Sequence, residues 1–315
     1  MKAFGPVPSR RLGRSIGINN IPAKICSYTC VYCQIGRSLK MTKDRTVFYD
    51  PRDILEDVGN KVMEARQAGE DIDYLTFVPD GEPTLDINLG KEIDLLRSIG
   101  IKIAVITNAS LVWRDDVRRD IANADWVSLK VDAVDEDIWR KVDRPHRGLR
   151  LDLILEGMLD FSKEFGGELV TETMLVAGMN DMDDELNRVA VFLGRLKPSR
   201  SYISIPTRPP SETWVEPPGE DVMGKAYHIF SAEVKNVEYL IGYEGNAFAF
   251  TGDVEQDILG ITSVHPMRED AVKEFLGRAG SHWSVIEDLL ERGDLRETVY
   301  KGKRFYLRRF RKTTQ

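Results

Sequence analysis

The chain has 315 residues, a net charge of −7 and only three cysteines. Its 42% hydrophobic and 30% charged residues are an ordinary globular mixture, and no apolar run reaches the roughly 18–20 residues of a spanning helix. Membrane insertion is excluded on this reading. The opening Met1-Lys2-Ala3-Phe4-Gly5-Pro6 lacks the apolar core of a signal peptide, so a cytoplasmic address is expected.

Taken in order, the first ~250 residues alternate short β-branched runs with segments of helical spacing. Ser15 to Ile18 reads as a strand, entered from a Pro- and Arg-rich stretch, Gly5 to Arg14. Asp50-Pro51 reads as an N-cap followed by a first-turn proline, with Ile54, Val58 and Val62 on one helical face. Strands follow at Tyr74–Val78, Ile101–Ile106, Trp126–Lys130, Leu169–Val176 and Tyr202–Ile205. Helices are expected at Leu89–Ile99, Val117–Ala122, Leu151–Phe165, Asp183–Leu196 and Val222–Phe230, and Val237–Leu240 is an extra strand.

Six strand–helix units in series predict an α/β fold with parallel strands and right-handed crossovers. The simplest closure is a partial (β/α)6 TIM-like barrel, and a doubly wound sheet is the alternative. In both, functional residues gather at the C-terminal ends of the strands.

The tail changes character. Helices at Val254–Ile261, Arg268–Ala279 and Ser281–Arg292 precede a hairpin, Leu295–Tyr300 and Phe305–Leu307, across Lys301-Gly302-Lys303. This order resembles a small winged helix-turn-helix-like α+β domain. The expected division is a barrel over 1–250 and the tail domain over 251–315.

All three cysteines, Cys26, Cys30 and Cys33, lie within eight residues. An odd count excludes a complete disulfide framework. Three soft sulfurs on one loop suit zinc or an iron–sulfur cluster. Structural zinc takes four ligands, and none of the four histidines, His146, His228, His265 and His282, sits near the loop. Zinc would need a distant His. A four-iron cluster on three cysteines would leave one iron open.

Cys26-x-x-x-Cys30-x-Tyr32-Cys33 resembles the Cys-x-x-x-Cys-x-aromatic-Cys signature of the radical S-adenosylmethionine (SAM) superfamily. The resemblance implies a [4Fe–4S] cluster on Cys26, Cys30 and Cys33 and an oxygen-sensitive enzyme. SAM would chelate the open iron through its amino and carboxylate groups. One electron from a ferredoxin- or flavodoxin-type low-potential donor would then cleave SAM to methionine and a 5′-deoxyadenosyl radical, which abstracts a substrate hydrogen.

Asp80-Gly81-Glu82-Pro83-Thr84, after the second strand, resembles the family's Gly-Gly-Glu-Pro motif, with Asp80 in place of the first glycine. Gly81, Glu82 and Pro83 would thus serve the SAM amino group, and Tyr32 stands at the aromatic position. Asn108 would face the ribose or methionine part of SAM, or act as a turn residue. Ser128, Lys130 and Asp132 share one face of their strand. Lys130 is expected to pair with the SAM carboxylate and Asp132 to hold Lys130; a structural ion pair is the other reading. Thr171, Thr173 and Leu175 share a face of the fifth strand, with Glu172 on the other; Thr173 would approach SAM or fill the core. Arg144 and Arg208, on stiff proline-rich loops, would hold an anionic substrate or are surface charge.

Gly5–Gly13, Arg144-Pro145-His146 and Pro206–Pro210 together resemble a subgroup similar to the wyosine tRNA-base synthases. The absence of further cysteines disfavours a second thiolate-bound cluster and a cysteine that relays the radical.

From Val264 onward there are twelve Lys/Arg against eight Asp/Glu. Tyr300, Phe305, Tyr306 and Phe310 interleave with the basic residues, which suits RNA contact or stacking. Glu287, Asp288 and Glu291 on the helix that would read DNA would repel phosphates; a peptide is the other candidate partner. The rival to the enzyme is a cluster- or zinc-containing nucleic-acid-binding regulator that uses this tail.

Overall fold

The computed structural model describes residues 2–241, 248 and 250–309. An antiparallel hairpin of β1 (Ala3–Ser9) and β2 (Gly13–Ile18) opens the chain. The cysteine segment follows, carrying a short parallel pair, β3 (Ile25–Cys26) and β4 (Lys40–Met41). Helix α1 (Pro51–Gln67) starts where expected: the Asp50 carboxylate accepts from Arg52 N at 2.9 Å, and Ile54, Val58 and Val62 are buried.

Then come β5 (Tyr74–Phe77), α2 (Leu89–Leu96), β6 (Lys102–Thr107), α3 (Asp115–Ile121), β7 (Trp126–Lys130), α4 (Glu136–Val142) and α5 (Leu151–Glu164). They are followed by β8 (Glu168–Met174), α6 (Asp183–Leu196), β9 (Arg200–Ser204), α7 (Glu220–Glu233) and β10 (Val237–Leu240).

The sheet order is β1-β2-β5-β6-β7-β8-β9-β10, with every neighbour pair from β2 onward parallel. The order never reverses, so no doubly wound switch point exists. This is a partial barrel. Its strands are covered by helices and therefore read as near-continuous apolar runs, such as Ile103-Ala104-Val105.

Two features differ from expectation, while the extra strand expected at Val237–Leu240 is present. The Gly5–Arg14 stretch is largely strand: prolines are tolerated in β1 because it is an edge strand, with no ladder to fill on its outer side. Helix α4 was hidden by its seven-residue length; Asp135 caps it, accepting from Asp137 N and Ile138 N. β10 pairs with β9 as a seventh parallel strand.

The tail forms α8 (Val254–Val264), β11 (Met267–Arg268), α9 (Glu269–Arg278), α10 (Ser284–Glu291), β12 (Leu295–Tyr300) and β13 (Lys303–Arg308). Its sheet runs β11-β13-β12. Lys301 and Gly302 both have positive φ, which suits the tight turn of this hairpin. The tail has its own apolar core, centred on Ile258, Met267, Phe275, Ile286 and Leu289, and that core already includes Phe248. Val7 of β1 packs against it. No helix among the described residues is long and apolar enough to cross a membrane.

Candidate active site

The loop after β2 carries the three cysteines to the C-terminal ends of the parallel strands. There Cys26, Cys30 and Cys33 line one cavity of about 330 Å³, together with Arg10, Arg11, Tyr32, Gly81, Glu82, Asn108, Lys130, Glu172 and Arg208. Burial raises all three thiols; Cys26 is pushed up to about 12 by burial and then by the Glu82 charge. A buried thiol of this kind is neutral until a metal displaces its proton. No group of three or more His, Cys, Asp or Glu side chains among the described residues is placed to hold a single metal ion. The thiols line a shared cavity, and three sulfurs without a fourth protein ligand fit an iron–sulfur cluster with one open iron.

His146 is closer to the cysteines than its sequence position suggests. Its N–H donates to Ser27 O at 2.8 Å, but its Nδ1 is already an acceptor for Gly148 N at 3.1 Å.

The second-strand segment is a rigid shelf under the loop. Lys24 N donates to Asp80 O at 2.5 Å and Glu82 N to Ile25 O at 3.2 Å. Gly81 is required by this approach: a Cβ there would lie 1.9 Å from Ile25 O. Asp80, at the position of the family's first glycine, is buried and pushed up to about 8 by that burial. Glu82 is buried and heavily used. Its Oε1 accepts from Thr84 N (3.0 Å), Thr84 Oγ1 (2.6 Å) and Thr107 Oγ1 (2.6 Å), and its Oε2 from Asn108 N (2.8 Å). It is foremost a clamp between the ends of β5 and β6, with Oε2 nearer to spare capacity. Pro83 opens a 3₁₀ turn, Pro83–Leu85, and does not line the cavity.

Asn108 reaches the cysteine loop directly. Its Nδ2 donates to Ser27 Oγ at 2.9 Å and approaches Cys26 Sγ at 3.5 Å. Both functions expected of it, turn and site, are present, since its Oδ1 accepts from Ser110 N at 2.9 Å.

Lys130 Nζ lies 2.9 Å from Glu172 Oε1 and 3.8 Å from Asp132 Oδ1. Burial works against the ammonium, but Asp132 and Glu172 outweigh it and raise its pKa. Burial likewise opposes the Glu172 charge, yet Lys130 and Arg11 hold it well below the usual carboxylate range. Asp132 sits behind the cavity wall, accepting from Tyr32 Oη and from Met174 N at 2.7 Å. Tyr32 Oη also reaches Asp143 at 3.3 Å, and Lys130 Nζ stands 5.0 Å from the Tyr32 ring centroid.

Two expectations are corrected. Thr173 does not line the cavity; it is buried and its Oγ1 is spent on Val131 O at 2.8 Å. The inward face of β8 is the even one, Glu172 and Met174. Arg144 is committed to Glu212 at 2.6 Å, alongside Arg37. Arg208 does face the cavity, with Nη1 on Gln34 Oε1 at 2.7 Å and Nη2 on His265 Nε2 at 2.9 Å. Sequence reasoning missed Arg10, Arg11 and Glu172 as wall residues; the only signal was the dibasic turn between β1 and β2.

The tail meets the barrel here. Besides His265, Tyr300 Oη donates to Pro206 O at 3.0 Å. Phe305 and Tyr306 are buried in the tail and offer no face for base stacking; Phe310 lies outside the described residues. Glu287, Asp288 and Glu291 are exposed on α10, as expected. The regulator reading is not favoured.

The Radical SAM superfamily model matches residues 20–190. A UPF0026 protein of Methanocaldococcus jannaschii is 51% identical over 97% of this chain and 95% of its own length. Among solved structures, a radical SAM methyltransferase from Sphaerobacter thermophilus aligns with TM-score 0.53 at 16% identity, covering 71% of this chain and 66% of that one. TYW1 with a lysine-pyruvate adduct bound aligns with TM-score 0.52 at 20% identity, covering 70% of this chain and 74% of that one. The superfamily consists of enzymes that use a [4Fe–4S] cluster and S-adenosylmethionine, and SuiB of Streptococcus suis, which aligns with TM-score 0.51 at 14% identity over 71% of this chain and 49% of that one, has S-adenosylmethionine bound. With its three-cysteine loop set on a partial barrel, this chain belongs to the Radical SAM superfamily.

Proposed function

We propose that Cys26, Cys30 and Cys33 hold a [4Fe–4S] cluster and that the cavity beside them receives SAM. The observation that carries this reading is the meeting of all three thiols with Gly81, Glu82, Asn108 and Lys130 in one cavity. When bound and reduced by one electron, the cluster supplies cleavage of the SAM sulfonium carbon–sulfur bond, giving a 5′-deoxyadenosyl radical that takes a hydrogen atom from substrate.

The protein's own residues bind and orient. Lys130 offers its ammonium to the SAM carboxylate, and Glu172 and Asp132 set its position. Asn108 steadies the first cysteine through Ser27. Tyr32, locked by its hydroxyl, presents a fixed ring to the cavity. Pro83 and Thr173 support this wall from behind.

The tail, as a winged-helix-like domain over 251–315 following a barrel over 1–250, serves as part of the cavity roof. His265 on Arg208 and Tyr300 on Pro206 O support that role. An RNA role for its hairpin loses support from the burial of Phe305 and Tyr306.

Anaerobic reconstitution with iron and sulfide tests the reading. About four irons per chain are expected, with 5′-deoxyadenosine and methionine formed after dithionite reduction. Cys30→Ala should lose both. Retained zinc without SAM cleavage would overturn it.

A further inference from the structure

Lys24 enters the cysteine loop in an uncommon backbone conformation. Its φ is +62°, in the left-handed region that glycine or asparagine occupies at less cost. Two stretches of backbone hold it there. Its N–H donates to Asp80 O at 2.5 Å, and its carbonyl accepts from Leu39 N at 2.9 Å and Lys40 N at 3.2 Å. A lysine kept at such an angle points to a use for its side chain. Lys24 does not line the cavity, so contact with SAM is not that use.

The side chain runs to the last cysteine instead. Lys24 is half-buried, and its Nζ would lie 3.3 Å from a Cβ on Gly36. Gly36 N donates to Cys33 O at 3.1 Å, so the ammonium stands beside the turn that Cys33 opens. Burial raises the Cys33 thiol, and the Lys24 charge works against that rise. Arg296, on β12 of the tail, is close enough for its charge to act on Lys24 as well. Its exposed side chain enters no hydrogen bond or ion pair among the described residues. Asp80 is the acid on this side. Burial pushes it up to about 8, so near neutral pH it cancels little of the positive charge.

We propose that Lys24 is a positioning residue that, together with Arg296, places positive charge beside Cys33 and makes the cluster held there easier to reduce. This role rests on the cluster reading above and leaves its chemistry unchanged. Uptake of one electron adds one negative charge, and a fixed cation beside a ligating sulfur favours the reduced state. No bond or proton moves with this effect. The half-buried ammonium is screened by salt less than an exposed one, so Lys24 carries the larger share and Arg296 the smaller. Through Arg296 the tail takes part in setting the electron affinity of a centre whose three thiols all come from the barrel.

The test is a potentiometric titration of the reconstituted holoprotein at low salt, followed by electron paramagnetic resonance of the reduced cluster. Wild type, Lys24→Gln, Lys24→Arg and Arg296→Gln are compared. At a potential fixed near the wild-type midpoint, Lys24→Gln should lower the reduced-to-oxidised ratio at least about threefold; a tenfold fall corresponds to about 59 mV for one electron. Lys24→Arg should keep the wild-type ratio. Arg296→Gln should lower it by less, with the gap to wild type closing as salt is added. An unchanged ratio in Lys24→Gln at full iron loading would overturn the proposal. An equal shift in Lys24→Arg would overturn it in favour of a steric role. If Lys24→Gln takes up no iron, Arg296→Gln decides, and an unchanged midpoint there would overturn the proposal. A wild type that takes up no four-iron cluster defeats the cluster reading, and the role of Lys24 with it.

Discussion

Lys130 Nζ stands 2.9 Å from one oxygen of Glu172, and Arg11 holds the other oxygen of the same carboxylate. One largely buried acid thus serves two cations far apart in sequence, one on β7 and one at the β1–β2 turn. Glu172→Gln would leave both without their shared partner. We expect a loss of about 3 kcal/mol or more, read as a fall in chemical-unfolding midpoint.

The same pair gives an acid limb to stability. The folded pKa of Glu172 lies below its ordinary value of 4.5, so its stabilisation is complete above that pH. It is lost as pH falls through the folded value. Wild type should lose stability on acidification below about pH 4.5, and Glu172→Gln should show a shallower acid limb in urea titrations.

His265 titrates at a different place. Burial, then the neighbouring Arg208 charge, lowers its pKa well below the usual histidine value. The unfolded chain takes up its proton first, so stability declines as pH drops below about 6.5. The slope contributed is up to about 1.4 kcal/mol per pH unit. Unfolding midpoints at pH 7.5 and 5.5 should differ more in wild type than in His265→Gln.

Gly81→Ala would place a methyl group against Ile25 O at 1.9 Å. Backbone cannot yield as a side-chain tip can, so the cysteine loop must lift from the β5 end. A stability cost of about 1–3 kcal/mol is expected, with reduced iron uptake on reconstitution. Thermal unfolding and iron per chain check the two effects separately.

Arg45 is almost fully buried and binds four partners. Its guanidinium donates to Thr84 O (2.9 Å), Asp86 O (2.7 Å), Asp116 (2.9 Å) and Asp120. Lysine keeps the charge but not the planar fork. Arg45→Lys should destabilise by about 2 kcal/mol or more and weaken SAM binding measured by equilibrium dialysis, because the Pro83–Leu85 turn loses its anchor.

The legible parts were those carried by local chemistry. Asp50-Pro51 marks a helix start wherever it occurs, and the cysteine spacing is a donor set on a single loop. Trp126–Lys130 and Asp183–Leu196 have the expected limits because their apolar positions, among them Leu186, Val189, Leu193 and Leu196, are the ones that become buried. Strand β8 shows where such reading stops. Alternation gives two faces, but only the neighbouring strands decide which one looks into the cavity, so Thr173 was favoured over Glu172. Arg10 and Arg11 come from a turn more than a hundred residues away from their partners Leu240 and Glu172. The commitment of Arg144 to Glu212 is likewise a tertiary fact.

The first strand belongs to two apolar cores at once. Ala3 lies in the barrel core, whereas Val7 packs into that of the tail. β1 is also a sheet edge, and α8 packs beside it. An uncovered edge is a template for pairing with other chains. Packed beside β1, α8 would shield this edge from such pairing. Its detachment would bare a strand that reaches both cores, so the barrel and its tail should lose solubility together rather than part as independent bodies.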